Sequence, residues 1–219
     1  MKSFATTAPI TAVIDLPAGR VQVIAADRAD ATVEVRPAEP GRGRDIRTAE
    51  RTAVEFQDGV LRIAAVPDGR LSGAGAVEVT VQVPVGSRIE VTSESTELRA
   101  VGRLGDVVVE GAYRRIKIDE ADSVRLTAVD GDVEIGRLNG PAGISTSRGA
   151  IRIAEAVRGA VVLRTESGDI EVAVAAGVPA ALDAGTGHGR ISNSLRNDGA
   201  AVVDIRATTS HGDIAARSL

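Results

Sequence analysis

The chain contains no cysteine. Disulfides, thiolate nucleophiles and thiolate metal sites are therefore excluded. Aromatic residues are almost missing as well: Phe4, Phe56 and Tyr113 are the whole complement, 1% of 219 residues, while 43% are hydrophobic. A core must then be assembled from Val, Ile, Leu and Ala. There is no excess of positive charge. Lys and Arg total 26 against 30 Asp and Glu, giving a net charge of −4. That balance argues against general nucleic-acid binding, which requires a basic face. No apolar run approaches the ~20 residues of a membrane-spanning helix. Residues 1–9 lack the apolar centre of a signal peptide, so a soluble, cytoplasmic protein is expected.

What the chain has in quantity is alternation and glycine. Helical periodicity is nearly absent, and apolar residues recur with a period of two. Ile10–Asp15, Arg20–Ala25 and Ala31–Arg36 read as strands, with a turn at Leu16–Gly19. Pro37–Arg44 reads as a loop. Asp45–Arg51 reads as a short helix with Asp45 as its N-cap. Thr52–Phe56 and Val60–Ala65 flank Gln57-Asp58-Gly59, and Asp-Gly between strands signals a hairpin. A glycine-rich loop, Leu71–Gly75, precedes the cleanly alternating Ala76–Val83.

From about Ile89 the chain repeats itself. Asp130-Gly131-Asp132-Val133-Glu134-Ile135, Arg148-Gly149-Ala150-Ile151-Arg152-Ile153 and Ser167-Gly168-Asp169-Ile170-Glu171-Val172 superpose. His188-Gly189-Arg190-Ile191 and His211-Gly212-Asp213-Ile214 fit the same frame. The first apolar positions are Leu98, Ile116, Val133, Ile151, Ile170, Ile191 and Ile214, spaced by 18, 17, 18, 19, 21 and 23. A second strand series runs between them, from Ile89-Glu90-Val91 to Val203-Asp204-Ile205. The longer late repeats carry insertions at Ala175–Pro179 and Leu195–Gly199.

Strand, turn, strand, turn in roughly 18 residues returns a chain to its start, displaced by one strand spacing of about 4.8 Å. Inward aliphatics then stack on their equivalents, and outward Glu134, Arg152 and Glu171 face water. One coil alone cannot offset the order of 1–2 kcal/mol per residue lost on ordering its backbone, so coils must stack. The expected fold is all-β: a β-solenoid of about 18-residue coils over residues 87–219. Residues 1–86 are expected to form an N-terminal antiparallel β unit that caps it, the two making one continuous folded body. The last coil, ending at Ser218-Leu219, would be an exposed sheet edge, covered by a protein partner or a second copy.

The stretch Val77-Glu78-Val79-Thr80-Val81-Gln82-Val83-Pro84, then Gly86-Ser87-Arg88-Ile89-Glu90-Val91-Thr92-Ser93, resembles the opening of a bacterial β-strand-repeat family. So do Asp130–Ile135 and Ser167–Val172 resemble its repeats. The family is known as "putative adhesin", a domain of unknown function, and is similar to head domains of autotransporter adhesins. The resemblance spans most of the chain. It implies a right-handed β-helix-like fold and no activity, cofactor or catalytic residue.

Several residues invite chemistry. Asp106, Asp132, Asp169 and Asp213 recur after corner glycines, as acids do in calcium-binding β-rolls. The nine-residue pattern of those rolls is absent, and Ala150 and Arg190 fill two equivalent positions, so the aspartates are expected to bond nearby backbone amides. His188 and His211 share a repeat position with Asp213 close by, yet two ligands without a third make a poor zinc site. Some β-helices cleave polysaccharides with paired carboxylates and aromatic platforms. Here Tyr113 is the only aromatic in the repeats, and Glu134 and Glu171 alternate with Arg99, Lys117 and Arg152 as salt-bridged ladders would. Gly102, Gly105 and Leu71–Gly75 match no phosphate loop. Arg42, Arg44, Arg47 and Arg51 are interspersed with Glu39, Asp45 and Glu50, as on a solvated loop.

No catalytic, cofactor or metal residue is assigned, and no cofactor is expected. The reading is a non-enzymatic scaffold or adhesin-like interaction module, binding a protein or itself through a solenoid face or the C-terminal coil edge. The alternatives are a polysaccharide-active β-helix enzyme and a divalent-metal-dependent module centred on His188 and His211.

Overall fold

A computed structural model describes residues 1–65 and 74–219. Leu71, Ser72 and Gly73 of the glycine-rich loop lie outside the described residues, as does the side chain of Tyr113. Strands β1 (Lys2–Ala5), β2 (Thr11–Ala26) and β3 (Asp30–Pro37) precede helix α1 (Gly43–Arg51). Then come β4 (Thr52–Gln57), β5 (Val60–Ala65), β6 (Val77–Pro84) and a long winding path, β7 (Arg88–Asp130). The rest alternate between two faces: β8 (Asp132–Leu138), β9 (Ala142–Arg148), β10 (Ile151–Ala156), β11 (Gly159–Ser167), β12 (Ile170–Val174), β13 (Ala180–His188), β14 (Ile191–Ser194), β15 (Val203–His211) and β16 (Ile214–Ser218). The fold is all-β and solenoid-like, and the sixteen strands among the described residues form one sheet that does not close on itself.

Period-two alternation sets which side of each strand faces inward. Ile116, Val133, Ile151 and Ile170 pair in register on successive parallel strands. All four are buried. Val124, Ala142 and Val161 make the matching ladder on the opposite face. Branched aliphatics of similar width stack without gaps in such a narrow interior. Two of the three aromatics pack against its N-terminal end: Phe4 and Phe56 are partly buried there, ring centroids 5.4 Å apart.

The hairpin expected at Asp58-Gly59 is present. β4 and β5 pair antiparallel with Gln57 opposite Val60. Asp58 and Gly59 both have positive φ, 51° and 75°, as a two-residue turn matching strand twist requires. Asp45 corrects an expectation. The helix begins at Gly43, its N-cap is Arg42, and no side chain caps it. Asp45 instead lies buried inside the first turn, where Oδ1 accepts the N–H of Ala76 at 3.1 Å. Thr48 accepts the N–H of Gly75 at 2.9 Å. The helix thus holds the chain that enters β6.

Within residues 1–86 the pairing is mixed. β1 on β3, β3 on β6 and β4 on β5 are antiparallel. β2, however, pairs in parallel with β5 and β6 on one side and with β7 on the other. The first coil is therefore inserted behind the strands that follow it.

The C-terminal end does the same, and this corrects the expected edge. The last coil, β15 and β16, is not exposed. β15 lies between β11 and β13, and β16 between β12 and β14. The open edge belongs to the preceding coil, β13 and β14. Asn193 supplies the physical reason. It occupies the ladder position of Ile153, Val172 and Ala216. Stacked in sequence order it would sit between Val172 and Ala216, and a buried amide without partners costs about 1–3 kcal/mol. At the edge Asn193 is exposed, and its Oδ1 accepts the N–H of Leu195 at 3.0 Å. Val203, Ile205, Ala207, Ile214 and Ala216 take the buried berth instead.

Candidate functional site

The corners are built from a recurring Thr-x-x-Gly. Gly149, Gly168, Gly212 and Gly189 adopt φ of 129°, 155°, 150° and 156°. A Cβ at each would come within 2.0–2.2 Å of a carbonyl oxygen in the adjacent coil. Only glycine fits where backbones approach this closely. Three residues earlier, Thr165, Thr209 and Thr186 donate their hydroxyls to the carbonyls of Gly149, Gly168 and Gly212 at 3.1, 3.0 and 2.9 Å. Sequence reading missed these threonines, although Thr-x-x-Gly is written four times between Thr146 and Gly212.

The recurrent aspartates follow the glycines and bond across coils. Asp132, Asp169 and Asp213 accept the backbone N–H groups of Ala150, Asp213 and Arg190 at 2.9, 2.8 and 2.9 Å. Asp213 also accepts from the Arg190 guanidinium at 3.0 Å. Those bonds, the backbone one foremost, hold its carboxyl below the usual range. Asp106 sits apart from this column and accepts from Arg88 at 3.0 Å and Ser123 at 2.5 Å. Among the described residues no three His, Asp or Glu side chains converge on one point.

The outward face carries a charge ladder. Lys117, Glu134, Arg152 and Glu171 occupy paired register positions. Glu134 meets Arg115 at 2.8 Å and Lys117 at 3.3 Å. Arg152 donates twice to Glu171, both bonds at 2.9 Å. Arg115 holds Glu134, and Arg152 holds Glu171, below the ordinary carboxylate range. Carboxyls so committed stay ionised near neutral pH, whereas glycosidic cleavage needs one that is protonated. A cleft of about 690 Å³ is lined by Asp15, Leu16, Pro17, Thr92, Ser93 and Glu94. It borders Ala65 and Ala74, on either side of the segment outside the described residues. In the basic cluster, Arg42 pairs with Glu39 at 3.3 Å and Arg44 lies 3.8 Å from Asp45.

His188 and His211 are brought together. They pair in register, with stacked rings whose centroids lie 4.9 Å apart. Both are exposed. His188 stands on the open-edge strand β13 and His211 on β15 just behind it; the apolar end of that edge is Ile191. That side chain is 47% exposed, while Ile214 and Ile170 behind it are 1% and 0% exposed.

A repeat of this phase from about Ile89 to the last strand, behind an N-terminal β unit, points to one family. Residues 11–218 match the model of Toastrack DUF4097. The chain belongs to that family. The Toastrack family is a domain of unknown function. No functionally curated protein matches the chain. Among solved structures, it is similar to a "putative cell adhesion protein" from Clostridium sporogenes, with 10% identity and a TM-score of 0.40 over 100% of this chain and 98% of that one. A "putative adhesin" from Bacteroides fragilis aligns at 12% identity and a TM-score of 0.47, covering 98% of this chain and 95% of its own. Another from Parabacteroides distasonis aligns at 14% identity and a TM-score of 0.34, with coverage of 98% and 95%. The family match carries the assignment. No helix among the described residues of the Toastrack chain is long and apolar enough to cross a membrane.

Proposed function

We propose that this Toastrack chain is a non-enzymatic, adhesin-like interaction module that takes a protein strand onto its open edge, β13 and β14. The observation that carries this reading is Ile191, which ends an otherwise buried aliphatic ladder half-exposed. The two ends of the sheet differ in a way that supports it. At the N-terminal end the outermost strands, β1 and β4, are drawn together by the Phe4–Phe56 contact and by Lys2 Nζ donating to the carbonyl of Val54 at 3.2 Å. In this reading they cap the solenoid there, with α1 packed against β3, β5 and β6. At the other end, among the described residues, β13 pairs only with β15 and β14 only with β16, so each has one unpaired side. An unpaired parallel edge with free N–H and C=O groups accepts an added strand.

A photo-crosslinking residue placed at Ser192 tests this against one placed at Glu134 on the charged face. A protein partner crosslinked from 192, with new hydrogen-exchange protection confined to 180–194, supports strand addition. Crosslinks from 134 alone would shift the site to the solenoid face. Turnover of a polysaccharide, abolished by removing Glu134 or Glu171, would overturn the non-enzymatic reading.

A further inference from the structure

We propose that His188 and His211 form a two-imidazole binding site for a late first-row divalent cation, Cu²⁺, Ni²⁺ or Zn²⁺, bridging the open-edge strand β13 and its neighbour β15. These are the only two histidines in 219 residues, and the fold stacks one upon the other. The corner does not require them. The same column carries Asp130, Arg148 and Ser167 in the coils behind, and the first two of these form an ion pair at 3.2 Å. The position therefore accepts an acid, a base or a hydroxyl, and imidazole is there in two adjacent coils alone.

The backbone beneath the pair is pinned. Gly212 donates its N–H to the carbonyl of His188 at 2.9 Å. Thr186 and Thr209 tie the same two turns to carbonyls of the neighbouring coils. Both side chains nevertheless point into solvent, and among the described residues neither ring is held by a side-chain hydrogen bond. Metal–imidazole bonds of about 2.0–2.1 Å place two adjacent ligand nitrogens roughly 3 Å apart. From a ring separation of 4.9 Å, rotation about the side-chain bonds of two exposed residues closes that gap without moving the backbone. Imidazole suits these metals, and copper binds most tightly among them. Asp213 does not join the set, because Arg190 takes both its oxygens at 2.9 and 3.0 Å. The same ion pair engages the Arg190 guanidinium at 3.0 Å. The remaining metal positions are open to water, or to a ligand brought by whatever docks on the edge. The site stands independently of strand addition.

The test is calorimetric titration of tag-free protein with CuCl₂, NiCl₂ and ZnCl₂. The comparison variants are His188→Ser and His211→Ser, which copy the residue already present at position 167. Expected are one metal per chain, copper tightest, and at least a tenfold loss of affinity in each single variant. Cu²⁺ should also show an electron paramagnetic resonance signature of two nitrogen ligands. No binding by the wild type at 0.1 mM metal, or unchanged binding in the double variant, overturns the proposal.

Discussion

Asp169 accepts the backbone N–H of Asp213 at 2.8 Å across 44 residues of sequence. The bond joins the coil made by β11 and β12 to the inserted last coil, and everything between 175 and 202 loops outside it. Asp132 makes the same bond to Ala150 only 18 residues away. Identical local chemistry therefore serves both consecutive and inserted stacking.

Replacing Asp169 by Ala should cost about 1 kcal/mol, the worth of one hydrogen bond between coils. Urea denaturation reads the change as a lower midpoint at unchanged slope. A neutral result would mean that water replaces the carboxylate at that corner without loss.

Gly149→Ala should be far more damaging than Gly199→Ala. At Gly149, φ is 129° and a Cβ would lie 2.2 Å from the carbonyl oxygen of Gly131. Backbone strain alone costs on the order of 1–3 kcal/mol there, before the clash. At Gly199 a Cβ meets nothing within 4 Å, so the substitution should change stability by less than about 0.5 kcal/mol. Thermal unfolding of the two variants compares them directly.

Hydrogen exchange should invert the order expected from chain position. Segments 203–211 and 214–218 lie near the terminus but have a paired strand on each side. Segments 180–188 and 191–194 have one. The last coil should therefore exchange more slowly than the coil before it. The reverse order would show that the last coil leaves first and that insertion contributes little.

Acid should weaken the coil stack. Glu134 and Glu171 have folded-state pKa values lowered by Arg115 and Arg152, and Asp213 is lowered by Arg190. A lowered carboxylate pKa contributes stability that is fully present above the unfolded value, about 3.9 for Asp and 4.3 for Glu. That contribution is lost as pH falls through the folded value. The midpoint of urea unfolding should thus be flat from pH 7 to about 5 and then decline. Glu171→Gln should flatten part of the decline. Because these pairs lie at the surface, solvent screening keeps each contribution small, and added salt should shrink it further.

Much of this architecture is legible in residue order. The Asp58-Gly59 turn, the inward ladder from Ile116 to Ile170 and the Lys117–Glu134–Arg152–Glu171 charges all follow from period-two alternation and a repeat near 18. So does the contact between His188 and His211, because shared repeat phase puts them on one column. Asp45 was not legible. A short acidic residue ahead of a helical stretch is the pattern of a cap, and only the passage of Ala76 overhead turned it into a clamp. The corner threonines were visible but unweighted, since a hydroxyl inside an alternating strand looks like any outward polar residue.

The sequence by itself determined that the protein is all-β, aliphatic in its core, glycine-cornered and repeated in phase. Those properties depend on which side of a strand each residue faces, and a period of two encodes that locally. The tertiary structure decided the order of the coils. Residues 180–194 and 203–218 carry the same strand–corner–strand pattern, so either could dock on 159–174 in the same register. The choice rests on what each coil would bury. Val203, Ile205, Ile214 and Ala216 are fully apolar, whereas Asn193 needs a partner. The coil that holds Asn193 was left outside, and with it Ile191 and His188, whose ring stacks on His211 of the coil beneath.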